Sequence, residues 1–356
     1  MRTPAFLRRL SAAALVALAL VASPGCDSEG SGTTATVRVM TQNLYLGGDL
    51  FLVANEQDPN MVPVRVAQLY GAVQASDPAA RMAAIAAEIV DVNPHLVGLQ
   101  EVTTYSVQMP GDNLPGGAAT PATDVTFDFL ADLQDALTAA GASYRVVSRS
   151  DNADVEFPAT TDGQTFFDVR YQDADVILAR SDVQVGATSE AEFSSLLTVP
   201  VGGVDQTFTR AYQRAAVTVE GLPFTFVNTH LEVGGDAEPI QRFQASELAR
   251  LVDDIDGKVI VVGDINSDGI TGGDSYRILT ADLTDAAPAG NAPTCCQDAD
   301  IRNETSDLTS RIDVVLYRGF DAVVNAEVVL DEPGDRVGGL WPSDHAGVWA
   351  ELRGTD

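Results

Sequence analysis

Runs of apolar residues, read against their polar punctuation, divide this chain into strands and helices. Val259–Val262 is the plainest run: four β-branched residues predict a strand buried on both faces and ended by Gly263. Asp264 and Asn266 follow one residue apart, and period two would place both side chains together at the mouth of a sheet. Upstream, Val37–Asn43 alternates like a strand that ends on Asn43. Asp77–Asn93 reads as a helix, with Asp77 as cap, Pro78 in the first turn, and Met82, Ile85, Ile89 and Val90 at helical spacing. Pro94 stops it, and Leu96–Gln100 becomes an apolar strand that delivers Glu101.

Weaker patterns fill the remainder. A helix is predicted around Val64–Val73, and a second amphipathic one over Phe127–Ala140, stopped by Gly141. Tyr144–Ser148 and Asp175–Ala179 read as strands with an Asp-rich loop between them. Ala215–Glu220 and Pro223–His230 form a hairpin around Gly221, and Pro239–Ile255 is helical. Ile312–Leu316, Ala322–Val329 and Val348–Leu352 complete the strands. Pro110–Thr123, Pro288–Asp307 and Gly334–Pro342 read as loops, while Asp182–Val204 shows no clear period. With no internal repeat or interior linker, this is one α/β domain: two mixed sheets with helices outside.

Composition adds a destination. Arg2, Arg8 and Arg9 precede an apolar stretch, Leu10–Ala22, that is too short to span a bilayer, so residues 1–25 read as a secretory signal. It resembles a bacterial lipoprotein signal, with Gly25 directly before Cys26, although Ser23 stands where Leu is usual and Pro24 is atypical. Lipidation of Cys26 and attachment to the cell envelope are expected, with plain secretion as the alternative. Residues 26–36, rich in Ser, Gly and Thr, read as a flexible tether ahead of a domain spanning 37–356. Cys295 and Cys296 are adjacent, which leaves either a strained vicinal disulfide or two free thiols.

The charge is strongly acidic, 51 Asp and Glu against 21 Lys and Arg. The formal −30 becomes −33 when the three signal arginines are removed. Such a surface argues against high-affinity nucleic-acid binding by basic residues, though not against metal-mediated contact with one phosphate.

Six strand ends carry polar side chains: Asn43, Glu101, His230, Asp264 with Asn266, Asp313, and Asp344 with His345. One polar residue closing one strand is ordinary turn chemistry. Six are more than turns require, and two of the chain's three histidines are among them. A histidine near its ordinary pKa of ~6.5 would be a fit proton carrier. A carboxylate behind it would fix its tautomer, and a hard cation on oxygen ligands would offset phosphate charge. Asp264 and His345 are expected at exposed strand ends.

This ordered set resembles the endonuclease/exonuclease/phosphatase superfamily, the DNase I-like metallohydrolases. The matching stretches are TQNLYL, VGLQEV, FVNTHLE, VVGDINS, RIDVVL and WPSDHAGV, in family order from Val37 to Leu352. The resemblance implies a four-layer sandwich, two mixed β-sheets packed face to face with helices outside, and Mg²⁺- or Mn²⁺-dependent phosphoester cleavage, with Ca²⁺ admissible. It makes Glu101 the principal metal ligand, helped by Asn43 and Asp344. Asp264 and Asn266 would position water and a phosphate oxygen, with His345 as catalytic histidine oriented by Asp313. His230 matches the branch that uses a second histidine. Tyr45 stands where repair nucleases carry Asp, and with His230 this points away from abasic-site repair. Asp175 replaces the Asn of a GNAILSR-like strand and is a candidate for a substrate or metal role.

The resemblance therefore implies an exported phosphoesterase, with a lipid-headgroup or small-molecule phosphodiester favoured as substrate. An extracellular DNase or RNase is the alternative, and a catalytically inactive binding protein a second. Asp264, Asn266, Asp268 and Gly269 imitate an EF-hand opening, but Ser275 stands where that loop needs Glu and a strand precedes it. His95 reads as a surface residue. Arg210 and Arg214 are candidates for phosphate contact or for salt bridges.

Overall fold

The computed structural model describes residues 33–113 and 119–356; the expected signal and most of the tether lie outside them. β1 (Thr34–Asn43) starts earlier than its alternation suggests. Thr34–Thr36, expected in the tether, belong to the sheet, with Thr34 opposite Thr355. Short α1 (Phe51–Ala54) leads to α2 (Val62–Ala75) and α3 (Pro78–Val92), which Asp77 caps by accepting from the Ala80 amide at 3.4 Å. β2 (Leu96–Gln100) follows, then β3 (Thr104–Gln108) and β4 (Asp124–Asp128), two strands that polar composition hides. The Asp128 side chain caps α4 (Phe129–Ala139).

The Asp-rich stretch is not a loop. It is the hairpin of β5 (Tyr144–Ala159) and β6 (Phe167–Arg180), paired along its length. Its acids are partly spent across strands, as in Arg170–Asp154 at 2.5 Å, while Val155, Phe157, Val169 and Tyr171 alternate inward. The unpatterned Asp182–Val204 contains β7 (Gln184–Glu192) and β8 (Leu197–Val201), the latter paired with β9 (Val204–Phe208). β10 (Ala211–Val219) and β11 (Leu222–His230) form the hairpin expected around Gly221, whose φ is +86°. After α5 (Glu238–Asp253) comes β12 (Val259–Asp264). Gly263 does not end this strand. It lies inside the ladder between Thr229 and Val314, where a β-carbon would strike the Thr229 carbonyl. α6 (Asp274–Leu279), short β13 (Thr284–Asp285), β14 (Asp313–Arg318), β15 (Ala322–Val329) and β16 (Gly347–Thr355) finish the chain.

Two mixed sheets result. One runs β15-β16-β1-β2-β6-β3-β4, with β5 also on β6; the other runs β13-β14-β12-β11-β10-β7. Alternation sorts each central strand between two cores. Ile260 and Val262 face Val37, Val39, Leu96 and Val348 between the sheets, whereas Val259 and Val261 meet Leu248 and Val252 of α5. On the far side, Met40, Val97 and Leu99 pack against Ile85, Ile89 and Phe129 of α3 and α4. The layers are helix, sheet, sheet, helix, which is why both faces of VIVV are apolar.

Topology then gathers the chemistry. β1 and β2 are parallel, as are β11 and β12, so Asn43, Glu101, His230 and Asp264 leave the sheets at one end. β14 enters from that end antiparallel, with Asp313 opposite Asp264, and β16 starts there just after His345.

Candidate active site

Asp264 is the meeting point. Its Oδ2 lies 3.2 Å from Asn43 Nδ2, 3.5 Å from His230 Nε2 and 3.8 Å from His345 Nε2. Its Oδ1 accepts the Asn266 amide at 2.8 Å, closing a tight turn with Asn266 at φ +50°. The chain is thus not extended beyond Asp264. Asn266 reaches the site by turning back, its Nδ2 3.0 Å from the Leu231 carbonyl and 3.3 Å from His230 Nε2.

Glu101 also adopts a left-handed backbone, φ +54°, at the exit of β2. Its Oε1 accepts from Asn43 Nδ2 at 3.1 Å and its Oε2 from the Leu46 amide at 2.8 Å. The sequence-predicted residues Asn43, Glu101, His230, Asp264, Asn266, Asp313, Asp344 and His345 therefore share one site. Asp264 and His345 are not exposed, at 1% and 6%, because loops close over the strand ends.

The histidines diverge in charge, and neither stays near its ordinary value. His345 Nδ1 lies 2.9 Å from Asp313 Oδ2, so it carries the proton and Nε2 faces the site. Burial opposes its positive charge, but Asp313, Asp344 and Asp264 together outweigh burial and push the imidazole well above its usual pKa. His230 goes the other way: burial first, then Arg210 and His345, hold it well below. Arg210 Nη1 sits 2.9 Å from His230 Nδ1, which makes that nitrogen the acceptor and places the proton on Nε2. Burial raises Asp264 and Asp344 to about 7 each, against the lowering effect of His345.

Asp175 is 1% exposed and stands behind His230, Oδ1 3.9 Å from Nδ1, rather than beside the site opening. Neither of its carboxylate oxygens has a partner among the described residues. Burial and neighbouring Asp173 push it well above the carboxylate range, and Asp173 itself is raised to about 7, chiefly by burial. Because the folded-state values lie above the unfolded ones, the penalty for burying these acids is absent below the ordinary carboxylate range, builds as pH rises from about 4 to about 7 for Asp173, and is constant above that. Asp175→Asn is expected to raise the melting temperature by about 3–8 °C at pH 8 and by clearly less at pH 5. Calorimetry at the two pH values checks this; an equal shift at both would contradict it.

Several contributors escaped the sequence reading. Arg81, wholly buried, donates to the carbonyls of Ser76, Leu44, Tyr45 and Pro342, bracing the loops that carry Asn43 and Asp344. Burial pulls it down to about 10, and its guanidinium lies over the Tyr45 ring. It shares the apolar face of α3 with Met82 and Ile85, a misplaced charge that could have flagged it. Ser343 Oγ donates to the Asn43 carbonyl and accepts the His345 amide. Below the site, Gln100 Nε2 donates to Asn228 Oδ1 at 2.7 Å, Asn228 Nδ2 meets Gln213 Oε1 at 3.0 Å, and Gln213 donates to the Asp175 carbonyl. Gly98 makes room, since a β-carbon there would collide with Asn228.

The remaining candidates settle elsewhere. His95 accepts the Arg38 amide away from the site, and Arg214 donates to Ser189. Arg210, besides His230, pairs with Glu232 at 3.6 Å. Asp268, in the EF-hand look-alike, accepts the Ile270 amide within a turn and the Arg311 amide from the segment that leads into β14. Cys295 and Cys296 are joined as a vicinal disulfide, with Cys296 Sγ 3.9 Å from His345 Nε2.

A family model described as Endonuclease/Exonuclease/phosphatase family matches residues 40–345. Comparison with curated proteins gives no match. Among solved structures, an endonuclease/exonuclease/phosphatase family protein from Bacteroides thetaiotaomicron is similar at 19% identity and TM-score 0.54, covering 91% of this chain and 97% of that one. A mannosyl-6-phosphatase from the same organism gives 18% and 0.51, covering 89% and 99%. Truncated TDP2 of Caenorhabditis elegans gives 18% and 0.50, covering 89% and 97%. At these identities the likeness concerns the fold.

Proposed function

This chain belongs to the endonuclease/exonuclease/phosphatase family, whose members are hydrolases acting on phosphoesters, and on that footing we propose an exported, divalent-metal-dependent phosphodiesterase. The observation that carries the reading is the convergence of Asn43, His230 and His345 on Asp264 Oδ2, with Glu101 just beyond Asn43.

The donor set fits a hard cation. Asn43, Glu101 and Asp344 offer only oxygen ligands of the right kind, and buried Asp344 Oδ1 has no partner among the described residues. Mg²⁺ or Mn²⁺ held there would supply charge neutralisation at the phosphoryl oxygens. Asp264, poised near 7, accepts the proton of a water that attacks phosphorus in line, and the backbone turn to Asn266 orients the carboxylate by holding its Oδ1. The protonated His345 presents Nε2–H to the charge that develops on phosphate, while Asp313 holds the ring in place. Neutral His230 and Asn266, whose side chains meet beside Asp264, orient the phosphate oxygens.

The preferred substrate is a lipid-headgroup or small-molecule phosphodiester. A hollow lined by Glu101, Asp173 and Arg210 shares Leu50 and Phe208 with two apolar hollows, one bounded by Phe51, Leu197 and Val199 and the other by Val155 and Phe157. An apolar substituent on the ester fits that side, and the −33 surface opposes a long polyanion. Export by the N-terminal signal, with Cys26 as a lipid anchor, would set the site near such esters. The test is a panel of plasmid DNA, RNA, sphingomyelin-type and inositol-type lipids and a small aryl phosphodiester, each with Mg²⁺, Mn²⁺ or EDTA. Cleavage of a lipid or small diester, abolished by EDTA, is expected. Efficient plasmid nicking with the phospholipids untouched would reverse the substrate ranking, and indifference to EDTA would reject the metal.

A further inference from the structure

Away from this site, three carboxylates converge where the segment after β3 crosses the β5–β6 hairpin. Asp112, Glu156 and Asp168 each bring one oxygen within 4.8 Å of the other two. Asp168 is fully buried, and its Oδ2 accepts the Asp112 and Asn113 amides at 2.6 and 3.0 Å. Its Oδ1 has no partner among the described residues. Glu156 repeats the arrangement: Oε2 accepts the Ala122 amide at 2.8 Å, and buried Oε1 is without a partner among the described residues. Asp112 accepts from the Thr120 amide and hydroxyl. Gly111 permits the approach, since a β-carbon there would stand 2.6 Å from Asp168 Oδ1.

Among the described residues no Lys or Arg forms an ion pair with any of the three, and neighbouring Arg170 is committed to Asp154. Buried carboxylate oxygens without donors are costly unless something positive meets them. Oxygen-only donors select a hard cation. Two oxygens on one Ca²⁺ at about 2.3–2.6 Å lie at most roughly 5 Å apart, so oxygens this close can share an ion. Mg²⁺ demands near-ideal octahedral geometry and dehydrates reluctantly, which suits a set drawn from three separate segments less well.

We propose that Asp112, Glu156 and Asp168 form a calcium site that fastens the Asp112–Asn113 and Thr120–Ala122 segments to the β5–β6 hairpin. The site adjoins the hairpin residues Val155, Phe157 and Val169, which wall the apolar hollow that shares Leu50, Tyr171 and Phe208 with the hollow containing Glu101. Calcium therefore stiffens that wall without touching the reacting groups.

The experiment is calcium titration by isothermal calorimetry, paired with thermal melting, on the full chain carrying Glu101→Gln to weaken the catalytic ligand set. A Ca²⁺ dissociation constant of roughly 10⁻⁵–10⁻³ M is expected, with a rise in melting temperature of about 5 °C at a hundredfold excess over it. Adding Glu156→Gln should remove one calcium equivalent, or weaken it at least about tenfold, and cancel the shift while circular dichroism stays native. Asp168→Asn should act likewise, but its buried position can cost folding, so Glu156→Gln decides. Unchanged calcium binding in folded Glu156→Gln protein would overturn the site, as would absence of calcium uptake by the Glu101→Gln parent at 10 mM (about tenfold above the weakest affinity expected).

Discussion

His345→Ala lowers kcat by about 10²–10⁴-fold while the protein stays folded, the usual loss when a positioned proton-bearing group is removed. The argument rests on where its charge comes from. Burial alone would strip the proton from this imidazole, and three surrounding carboxylates, Asp313 foremost, keep it on. The 2.9 Å contact from Nδ1 to Asp313 fixes the tautomer, leaving Nε2–H as the group that faces phosphate. Asp313→Asn should therefore cost a comparable factor, because an amide can offer its N–H and leave the ring turned or in the wrong tautomer. The double variant should be little worse than either single one, since the two act as a unit. Steady-state kinetics on folded protein checks this. Activity within a few-fold of the parent in His345→Ala, or fully additive losses in the double variant, would remove His345 from its assigned role.

Asp264→Asn should be as damaging but with a different signature. Asp264 must be ionised to take the water's proton, and burial sets it at about 7. Activity of the parent should thus climb as pH rises through about 7, then decline only where His345, held well above its ordinary value, loses its proton. The Asn variant should lose about 10²–10⁴-fold near neutrality, and its residual rate should lack the acid limb. Glu101→Gln offers the contrast, with activity partly recovered at higher Mg²⁺ or Mn²⁺. A pH–rate profile in Asp264→Asn that keeps the parent's acid limb would assign the base to another group.

Much of this was legible from alternation and strand ends. VIVV and LVGLQ are buried on both faces, so their apolar content announces them, VRVMTQN shows by its alternation, and the three lead into Asp264, Glu101 and Asn43 at the site. Of the β5–β6 hairpin only the outer ends, Tyr144–Ser148 and Asp175–Ala179, were legible, because cross-strand Arg–Asp pairs let the strands between carry charges that otherwise signal a loop. The burial of Asp264 and His345 was missed for a related reason. Periodicity describes a strand but says nothing of the loops, such as that bearing Tyr45 and Arg81's carbonyl partners, that close over its end. The opposite charge states of His230 and His345 were equally out of reach. They depend on Arg210 and Asp313, which are distant in sequence and adjacent only after folding.

The contacts that matter most join groups from opposite layers. Asn43 ends a strand of one sheet and His345 leads into another strand of it, while Asp264 and Asp313 belong to the second sheet, so the Asn43–Asp264 and His345–Asp313 contacts both cross the seam. Gln100, Asn228 and Gln213 pin that seam immediately beneath, in an otherwise apolar layer rich in Val, Ala and Phe that would let the faces slide. Catalytic competence is thereby made a reporter of alignment between two intact halves. A sub-ångström slip, too small to disturb any helix or strand, would already part the dyad, so this enzyme can fall silent while every spectroscopic sign of its architecture persists.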